Sequence, residues 1–156
     1  MIIDSKFKVA NLLKNRGTKR IVFTNGCFDV LHVGHLRSFQ AARALGDLFI
    51  VGVNSDSSVR SLKGDSRPIN NQDNRVEMLE GFAAIDGVII YDGERSVEAI
   101  NYVRPDIYVK SGDYNLENLD KSELKALQDI NAKIIFTPFF SGYSSSSILN
   151  EFSKQI

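Results

Sequence analysis

This chain contains, at residues 24–35, the stretch Thr24-Asn25-Gly26-Cys27-Phe28-Asp29-Val30-Leu31-His32-Val33-Gly34-His35. The stretch follows an apolar run, Ile21-Val22-Phe23, that predicts a buried strand, and it precedes residues 36–45, which have helical spacing. It is therefore predicted to be a strand-to-helix turn, and open α/β sheets bind ligands at the carboxyl ends of their strands. A helix start also offers free N–H groups and the positive end of the helix dipole, which favour phosphate.

The two histidines of this turn suggest chemistry at phosphorus. His32 and His35 share one face if both lie in the first helical turn. Gly34, between them, permits close approach of the backbone to a ligand. Two alternatives stay open: ordinary surface or hydrogen-bonded histidines, and a zinc pair, for which the sequence offers no evident third ligand nearby.

The remaining sequence alternates between predicted strands and helices. Strands are predicted at residues 20–24, 48–53, 88–91, 107–109 and 133–137, and helices at 4–15, 36–45, 56–62, 71–82, 96–103, 119–130 and 145–152. This order predicts an α/β fold, a Rossmann-like doubly wound sheet of about five parallel strands with flanking helices. We expect a single domain over residues 1–156. Ser96 is expected to cap its helix, with Glu98 in the first turn, and Gly17 and Gly46 are expected to end the first two helices.

The composition of the chain limits which kinds of binding partner and which cellular compartment we expect. Lys+Arg and Asp+Glu number 19 each, so no bulk charge favours nucleic acid or a membrane surface, and neither is expected as a partner. No apolar run approaches the roughly 20 residues that span a bilayer, and residues 1–6 lack a signal-peptide pattern. The one cysteine, Cys27, excludes an internal disulfide and fits a reducing cytoplasm. For Cys27 we favour a packing or backbone-contact role, with a nucleophile as the alternative.

The turn resembles the HxGH signature of the small cytidylyl- and adenylyltransferases. Other segments follow in the order of that superfamily: residues 53–58, 62–70, 74–79, 105–106, 110–114 and 142–149. Over about residues 20–150 the chain closely resembles the adenylyltransferases of ADP-heptose synthesis. The HxGH signature is shared by the whole superfamily. The more specific motifs of this resemblance are Lys63-Gly64-Asp65-Ser66-Arg67-Pro68 and Lys110-Ser111-Gly112-Asp113-Tyr114.

The resemblance implies transfer of AMP from ATP to D-glycero-D-manno-heptose 1-phosphate, with release of pyrophosphate. Mg²⁺ is implied as the companion of ATP, and no residue of the chain is assigned as a metal ligand. A homo-oligomer, such as a dimer, is expected. A sugar kinase of the same pathway is expected to be a separate polypeptide. The alternatives are a cytidylyltransferase of the glycerol 3-phosphate type and a nucleotide-binding module without catalysis.

The resemblance also assigns roles to individual residues. Catalytic roles fall to His32, His35 and Lys63. Nucleotide binding falls to Thr24, Asn25, Gly26, Phe28, Asp29, Lys110, Gly112, Asp113, Ser144, Ser145 and Ser146. Substrate binding falls to Asn54, Asp56, Arg67 and Arg75. Asp29 is expected to orient the turn rather than to act as a base, because the attacking phosphate is already an anion.

Several of these residues have plainer alternatives. Lys63 and Arg67 would otherwise be solvated surface cations. Arg75 would be an exposed helix cation, or it would tie the loop to the sheet. The serines at 144–146 would form a loop or a cap, and Ser145 and Ser146 stand where the family has threonines. Ser111 stands where the heptose family has glycine, and a side chain there would alter the nucleotide fit.

Overall fold

A five-stranded parallel sheet forms the centre of the protein. The structure is a computed structural model that describes residues 3–137. Its elements in chain order are α1 (Ile3–Lys14), β1 (Ile21–Gly26), α2 (Val33–Arg43), β2 (Leu48–Asn54), α3 (Asp56–Lys63), α4 (Gln72–Glu80), β3 (Gly87–Tyr91), α5 (Val97–Val103), β4 (Ile107–Ser111), α6 (Lys121–Asp129) and β5 (Lys133–Thr137). The predicted Rossmann-like α/β class is confirmed.

The strand order places a crevice beside the first strand. The strands lie in the order β3-β2-β1-β4-β5, so the direction of winding reverses between β1 and β4. These two strands pair only at Val22–Ile107 and Phe23–Tyr108, although β1 continues to Gly26 and β4 to Ser111. Their carboxyl ends therefore diverge, and ligands of doubly wound sheets bind at such a switch point.

Both faces of the sheet are covered, which explains the continuous apolar runs of its strands. Successive side chains of β1 enter opposite cores: Ile21 and Phe23 pack with Val9 of α1, whereas Val22 packs with Phe39 of α2. All seven residues of β2 are buried. The sheet is therefore a rigid support for the side chains at its carboxyl edge.

The helix starts and ends differ from prediction in a few places. Helix α2 begins at Val33, so it contains the last three residues of the HxGH motif, and His32 is its N-cap. It ends at Arg43, before Gly46, whose missing side chain instead lets β1 approach: a Cβ there would lie 2.6 Å from Val22 Cγ2. The capping role predicted for Ser96 is wrong, because its hydroxyl donates to Glu123 Oε1 at 2.9 Å rather than accepting from the helix. Glu98 does lie in the first turn of α5.

The predicted helix at residues 145–152 and the serines 144–146 lie outside the described residues. Within residues 3–137, every helix is too short or too polar to cross a bilayer.

Candidate active site

A cavity of about 520 Å³ opens at the carboxyl ends of β1, β2, β3 and β4. Thr24, Asn25 and Gly26 of β1 line it, and so do Asn54 of β2 and Lys110 of β4. Thr24 Oγ1 donates to the carbonyl of Val109 at 2.8 Å and bridges the two diverging strands. The cavity therefore lies at the switch point that the strand order predicts.

The two histidines are fixed by the start of α2. His32 is the N-cap residue, and its Nδ1 accepts from the N–H of Gly34 at 3.1 Å. His35 Nδ1 accepts in return from the N–H of His32 at 3.2 Å. Each ring therefore uses Nδ1 as an acceptor, which places the proton of a neutral imidazole on Nε2. The motif thus caps its own helix, and the Nε2–H of His35, which lines the cavity, is left as a donor.

His35 is neutral in the free protein. Burial, together with smaller effects of the nearby His32 and Lys63, lowers its pKa to about 4. The ring lies edge-on to Phe28, with centroids 5.6 Å apart, and beside Phe39. His35 lines the cavity, and the rings of His32 and His35 are 3.9 Å apart. At neutral pH this site presents hydrogen-bond donors rather than imidazolium charges.

Phe28 owes its position to Gly26. Phe28 has a φ of 49°, which folds its ring back over β1, and a Cβ on Gly26 would come within 3.0 Å of that ring. The ring also lies 5.5 Å from Phe39, edge-on. Gly26 and Phe28 therefore support the imidazole of His35 and complete one wall of the cavity.

Asp29 joins the turn to the loop after α3. Its carboxylate accepts from the N–H groups of Ile69 and Asn70 and from Arg67 Nε, the last at 2.7 Å. Burial alone would raise the pKa of Asp29, but these hydrogen bonds and the guanidinium hold it below its usual value. Arg67 Nη2 is buried without a hydrogen-bond partner among the described residues. Asp29 therefore holds the turn against the loop and leaves an N–H donor of Arg67 without a partner among the described residues.

Arg75 is buried, and each of its three guanidinium nitrogens donates a hydrogen bond to the protein. Its Nε donates to the carbonyl of Asn70, one terminal nitrogen donates to the carbonyl of Cys27 at 2.6 Å, and the other pairs with Asp56 at 2.8 Å. These contacts join the motif turn, the loop and α3. Of the alternatives for Arg75, the geometry favours the one in which it ties the loop to the sheet.

Cys27 is half-buried, with Sγ 3.6 Å from Asn54 Oδ1. Burial raises the pKa of this thiol, and the charges of Lys63, Arg75 and Arg67 only partly offset that effect. A thiol that is neutral at pH 7 is a poor nucleophile. The geometry therefore favours packing over nucleophilic attack.

Lys63 and Lys110 approach the site from different sides. Lys63 is the last residue of α3, is exposed and does not line the cavity, although its charge reaches His35. Lys110 is half-buried, lines the cavity and has its Nζ 4.6 Å from the centre of the Tyr114 ring. Burial lowers the pKa of Lys110, while Glu123 opposes that effect. Lys110 is thus the predicted cation that the structure places in the cavity wall.

Of the Lys-Ser-Gly-Asp segment, Lys110 and Ser111 line the cavity, whereas Gly112 and Asp113, predicted to bind the nucleotide, do not. Gly112 has a φ of 103°, which favours glycine. Ser111 Oγ lies 2.7 Å from Thr137 Oγ1, so its hydroxyl bonds to β5. Asp113 is exposed, and its carbonyl accepts from Asn118 at 2.8 Å.

Sequence reasoning missed several residues that line the cavity. They are Ser38, Tyr91, Glu94, Arg95, Tyr114, Asn118, Asp120 and Glu123. Tyr91 could have been found, because it ends an apolar strand and so must lie at the carboxyl edge. Glu123 could not, since its burial and its bonds to Ser96 come from the packing of α6. In the described part of the chain, no group of three or more His, Cys, Asp or Glu residues could hold a metal ion.

Comparison with known proteins agrees with this geometry. The family described as cytidylyltransferase-like matches residues 23–151. The chain is 46% identical to the bifunctional protein HldE of Campylobacter curvus, over 94% of this chain and 30% of that protein. It is 44% identical to the HldE protein of Wolinella succinogenes, over 95% of this chain and 30% of that one. The chain thus spans about a third of the length of these relatives.

Solved structures share the fold. A lipopolysaccharide core biosynthesis protein from Thermoplasma volcanium superposes with a TM-score of 0.64 at 24% identity, over 81% of this chain and 99% of that one. Pantoate-beta-alanine ligase from Francisella tularensis superposes with a TM-score of 0.58 at 15% identity, over 89% of this chain and 67% of that one. Because the family match extends over residues 23–151, this chain belongs to the cytidylyltransferase-like family of nucleotidyltransferases.

Proposed function

We propose that this chain transfers AMP from ATP to D-glycero-D-manno-heptose 1-phosphate. An oxygen of the sugar phosphate attacks the α-phosphorus, the bond from that phosphorus to the β-phosphate oxygen breaks, and pyrophosphate leaves with the electron pair. The products are ADP-heptose and pyrophosphate. The identities of 46% and 44% to two HldE proteins support the heptose assignment. No base is needed, because the attacking phosphate is already an anion.

One observation supports the chemistry most directly. The pair His32 and His35 is held by reciprocal bonds from the backbone at the start of α2, and the Nε2–H of His35 is left as a donor at the cavity. Donors that are oriented before the substrate arrives stabilise charge on phosphoryl oxygens without a cost of reorganisation. The helix start contributes a further positive potential at the same place.

The other residues take supporting roles in this proposal. Lys110 lies in the cavity wall and would neutralise phosphate, while Lys63 would reach the transferred phosphoryl group from the end of α3. Arg67, held by Asp29, would offer its unpaired Nη2 to the acceptor phosphate. Mg²⁺ would enter as MgATP, coordinated mainly by phosphate oxygens and water.

The experiment is a matrix of nucleotides and acceptors with pyrophosphate as the readout. ATP and CTP are each paired with both anomers of the heptose 1-phosphate and with glycerol 3-phosphate, and the nucleotide sugar is identified by mass spectrometry. We expect turnover with ATP and heptose 1-phosphate that depends on Mg²⁺. Equal rates with CTP and glycerol 3-phosphate would overturn the heptose assignment, and no turnover with any pair would favour the module without catalysis.

A further inference from the structure

A chain of hydrogen bonds runs beneath the cavity from β4 to the residues after β3. Tyr108 Oη donates to Asn25 Oδ1 at 2.6 Å, and Asn25 Nδ2 donates to Tyr91 Oη at 3.0 Å. Tyr91 Oη donates in turn to Asn54 Oδ1 at 3.0 Å, and Asn54 Nδ2 donates to the carbonyl of Gly93 at 3.2 Å. Four side chains from four strands thus share one network.

The carbonyl of Gly93 sets the direction of the whole chain. A carbonyl only accepts, so the amide of Asn54 must turn its Nδ2 toward Gly93 and its Oδ1 toward Tyr91. The one hydroxyl proton of Tyr91 is then used, and Asn25 must present Nδ2 to it. Oδ1 of Asn25 therefore faces Tyr108, whose hydroxyl must donate.

Gly52 lets the network cross the sheet. Tyr91 belongs to β3 and Asn25 to β1, and β2 lies between these strands. Gly52 of β2 is the register partner of Asn25. A Cβ on Gly52 would lie 3.2 Å from Tyr91 Cε1 and 2.7 Å from Phe23 Cζ, so the missing side chain leaves room for the tyrosine ring to pass over β2.

Burial keeps the two tyrosine hydroxyls of this network protonated. Tyr91 is 4% exposed and Tyr108 is 0% exposed, and desolvation raises the pKa of both phenols above their usual value. Both hydroxyls therefore keep their protons at neutral pH. The amide of Asn25 is held in one orientation.

The network fixes the direction in which the Asn25 amide faces the cavity. Asn25 lines the cavity, and one of its two amide hydrogens is taken by Tyr91. The second has no acceptor among the described residues. We propose that Tyr91 is a positioning residue, which holds the amide of Asn25 so that its free N–H donates to a phosphate of the bound nucleotide. This inference rests on the proposed function only in taking that nucleotide to be the ligand of the cavity.

Two conservative variants separate this role from a purely structural one. Tyr91→Phe removes the link to Asn54 and Gly93, so Tyr108 becomes free to accept and the Asn25 amide is free to flip. Tyr108→Phe also removes a buried hydroxyl, yet the link from Gly93 still fixes the direction at Asn25. We expect Tyr91→Phe to weaken MgATP binding by about tenfold, since a hydrogen bond to a charged group is lost, and Tyr108→Phe to cause a clearly smaller loss.

The measurements are the Kd for MgATP by calorimetry, kcat and KM by pyrophosphate release, and Tm. Tyr102→Phe, at an exposed tyrosine of α5, is the control and should change none of them. A double-mutant cycle tests the route: in an Asn25→Ala background, Tyr91→Phe should have little further effect on the Kd. The inference would be overturned if Tyr91→Phe and Tyr108→Phe lost equal affinity for MgATP, in proportion to their losses of Tm. Full additivity in the double-mutant cycle would overturn it as well.

The Kd for MgATP does not depend on turnover. The proposed function and the role of Tyr91 can therefore be overturned independently of each other. A wild-type chain that shows the Tyr91 effect on MgATP binding, yet turns over no acceptor, overturns the proposed function and supports this inference. If the wild-type chain turns over the heptose phosphate and Tyr91→Phe binds MgATP as tightly as the wild type, the proposed function is supported and this inference is overturned. A wild-type chain that binds neither ATP nor CTP overturns both.

Discussion

Arg67 donates from Nε to the buried carboxylate of Asp29 at 2.7 Å, and this ion pair joins the loop after α3 to the turn that holds the histidines. The same carboxylate accepts from two backbone N–H groups of the loop. In the proposed function, the loop after α3 contacts the acceptor phosphate and the turn with Asp29 contacts the triphosphate. The contacts of Asp29 thus fix this loop to this turn. In the proposed function, the acceptor and donor sites are therefore held together by the contacts of Asp29.

We expect Asp29→Asn to destabilise the fold and to lower activity. The amide has one acceptor oxygen and turns an NH₂ group toward donors, so either Arg67 or the N–H of Asn70 loses its partner. Breaking a buried pair in this way costs roughly 3 kcal/mol. Chemical denaturation measures the loss, and Asp65→Asn, at an exposed acid of the same loop, is the control. A stability equal to that of the control would show that the loop does not depend on Asp29.

His35→Ala should lower kcat far more than it weakens ATP binding. Many groups contact a triphosphate in the ground state, whereas a fixed donor contributes most when charge moves onto the leaving pyrophosphate. The loss of one preorganised donor costs about 10² to 10³ in rate. His35→Asn should keep part of this effect, because its amide donates.

The informative comparison for His35 is kcat beside a separately measured Kd for ATP. Gln40→Ala, at an exposed position of α2, serves as the control. If binding collapses while kcat at saturation is preserved, His35 is a ground-state ligand and its catalytic role is wrong.

The protonation of His35 predicts a loss of stability in mild acid. Its pKa is about 4 in the folded protein and near 6.5 in the unfolded chain, so the unfolded state binds more protons between these values. The contribution is therefore complete above pH of about 6.5 and is lost as the pH falls toward 4. The variant His35→Gln should remove this part of the pH dependence.

Two measurements check the prediction: the free energy of unfolding as a function of pH, and the titration of the imidazole by NMR. MgATP should raise the pKa of His35, because phosphate charge favours the imidazolium. An imidazole that titrates near 6.5 in the free protein would contradict the burial on which the prediction depends.

Cys27→Ser should keep most of the activity. The proposed reaction needs no thiol, and a serine hydroxyl can donate to Asn54 as the thiol does. Steady-state kinetics and Tm together test this expectation. A correctly folded Cys27→Ser protein without turnover would show that the thiol takes part in the chemistry.

The sequence predicted the fold and the position of the site because both depend on local patterns. Apolar runs such as residues 48–53 gave the buried strands, and the HxGH turn predicted where the site lies. Arg75 shows where such reasoning stops. A charged helix residue is usually exposed, and only the three-dimensional structure shows its guanidinium enclosed by Cys27, Asn70 and Asp56. The link from Tyr91 to Asn25 was equally out of reach, because it depends on a ring that crosses a neighbouring strand.

The reciprocal cap at the start of α2 also explains why histidine stands at both positions. Aspartate would cap the helix as well as histidine does, but it would place a negative charge where the proposal places phosphate. Serine would cap it and have little length left to reach a ligand. An imidazole has two nitrogens on opposite sides of one ring, so it accepts from the helix and donates to an anion at once. The proposed chemistry and the folding of this turn therefore draw on the same side chains, and a substitution chosen to preserve one is constrained by the other.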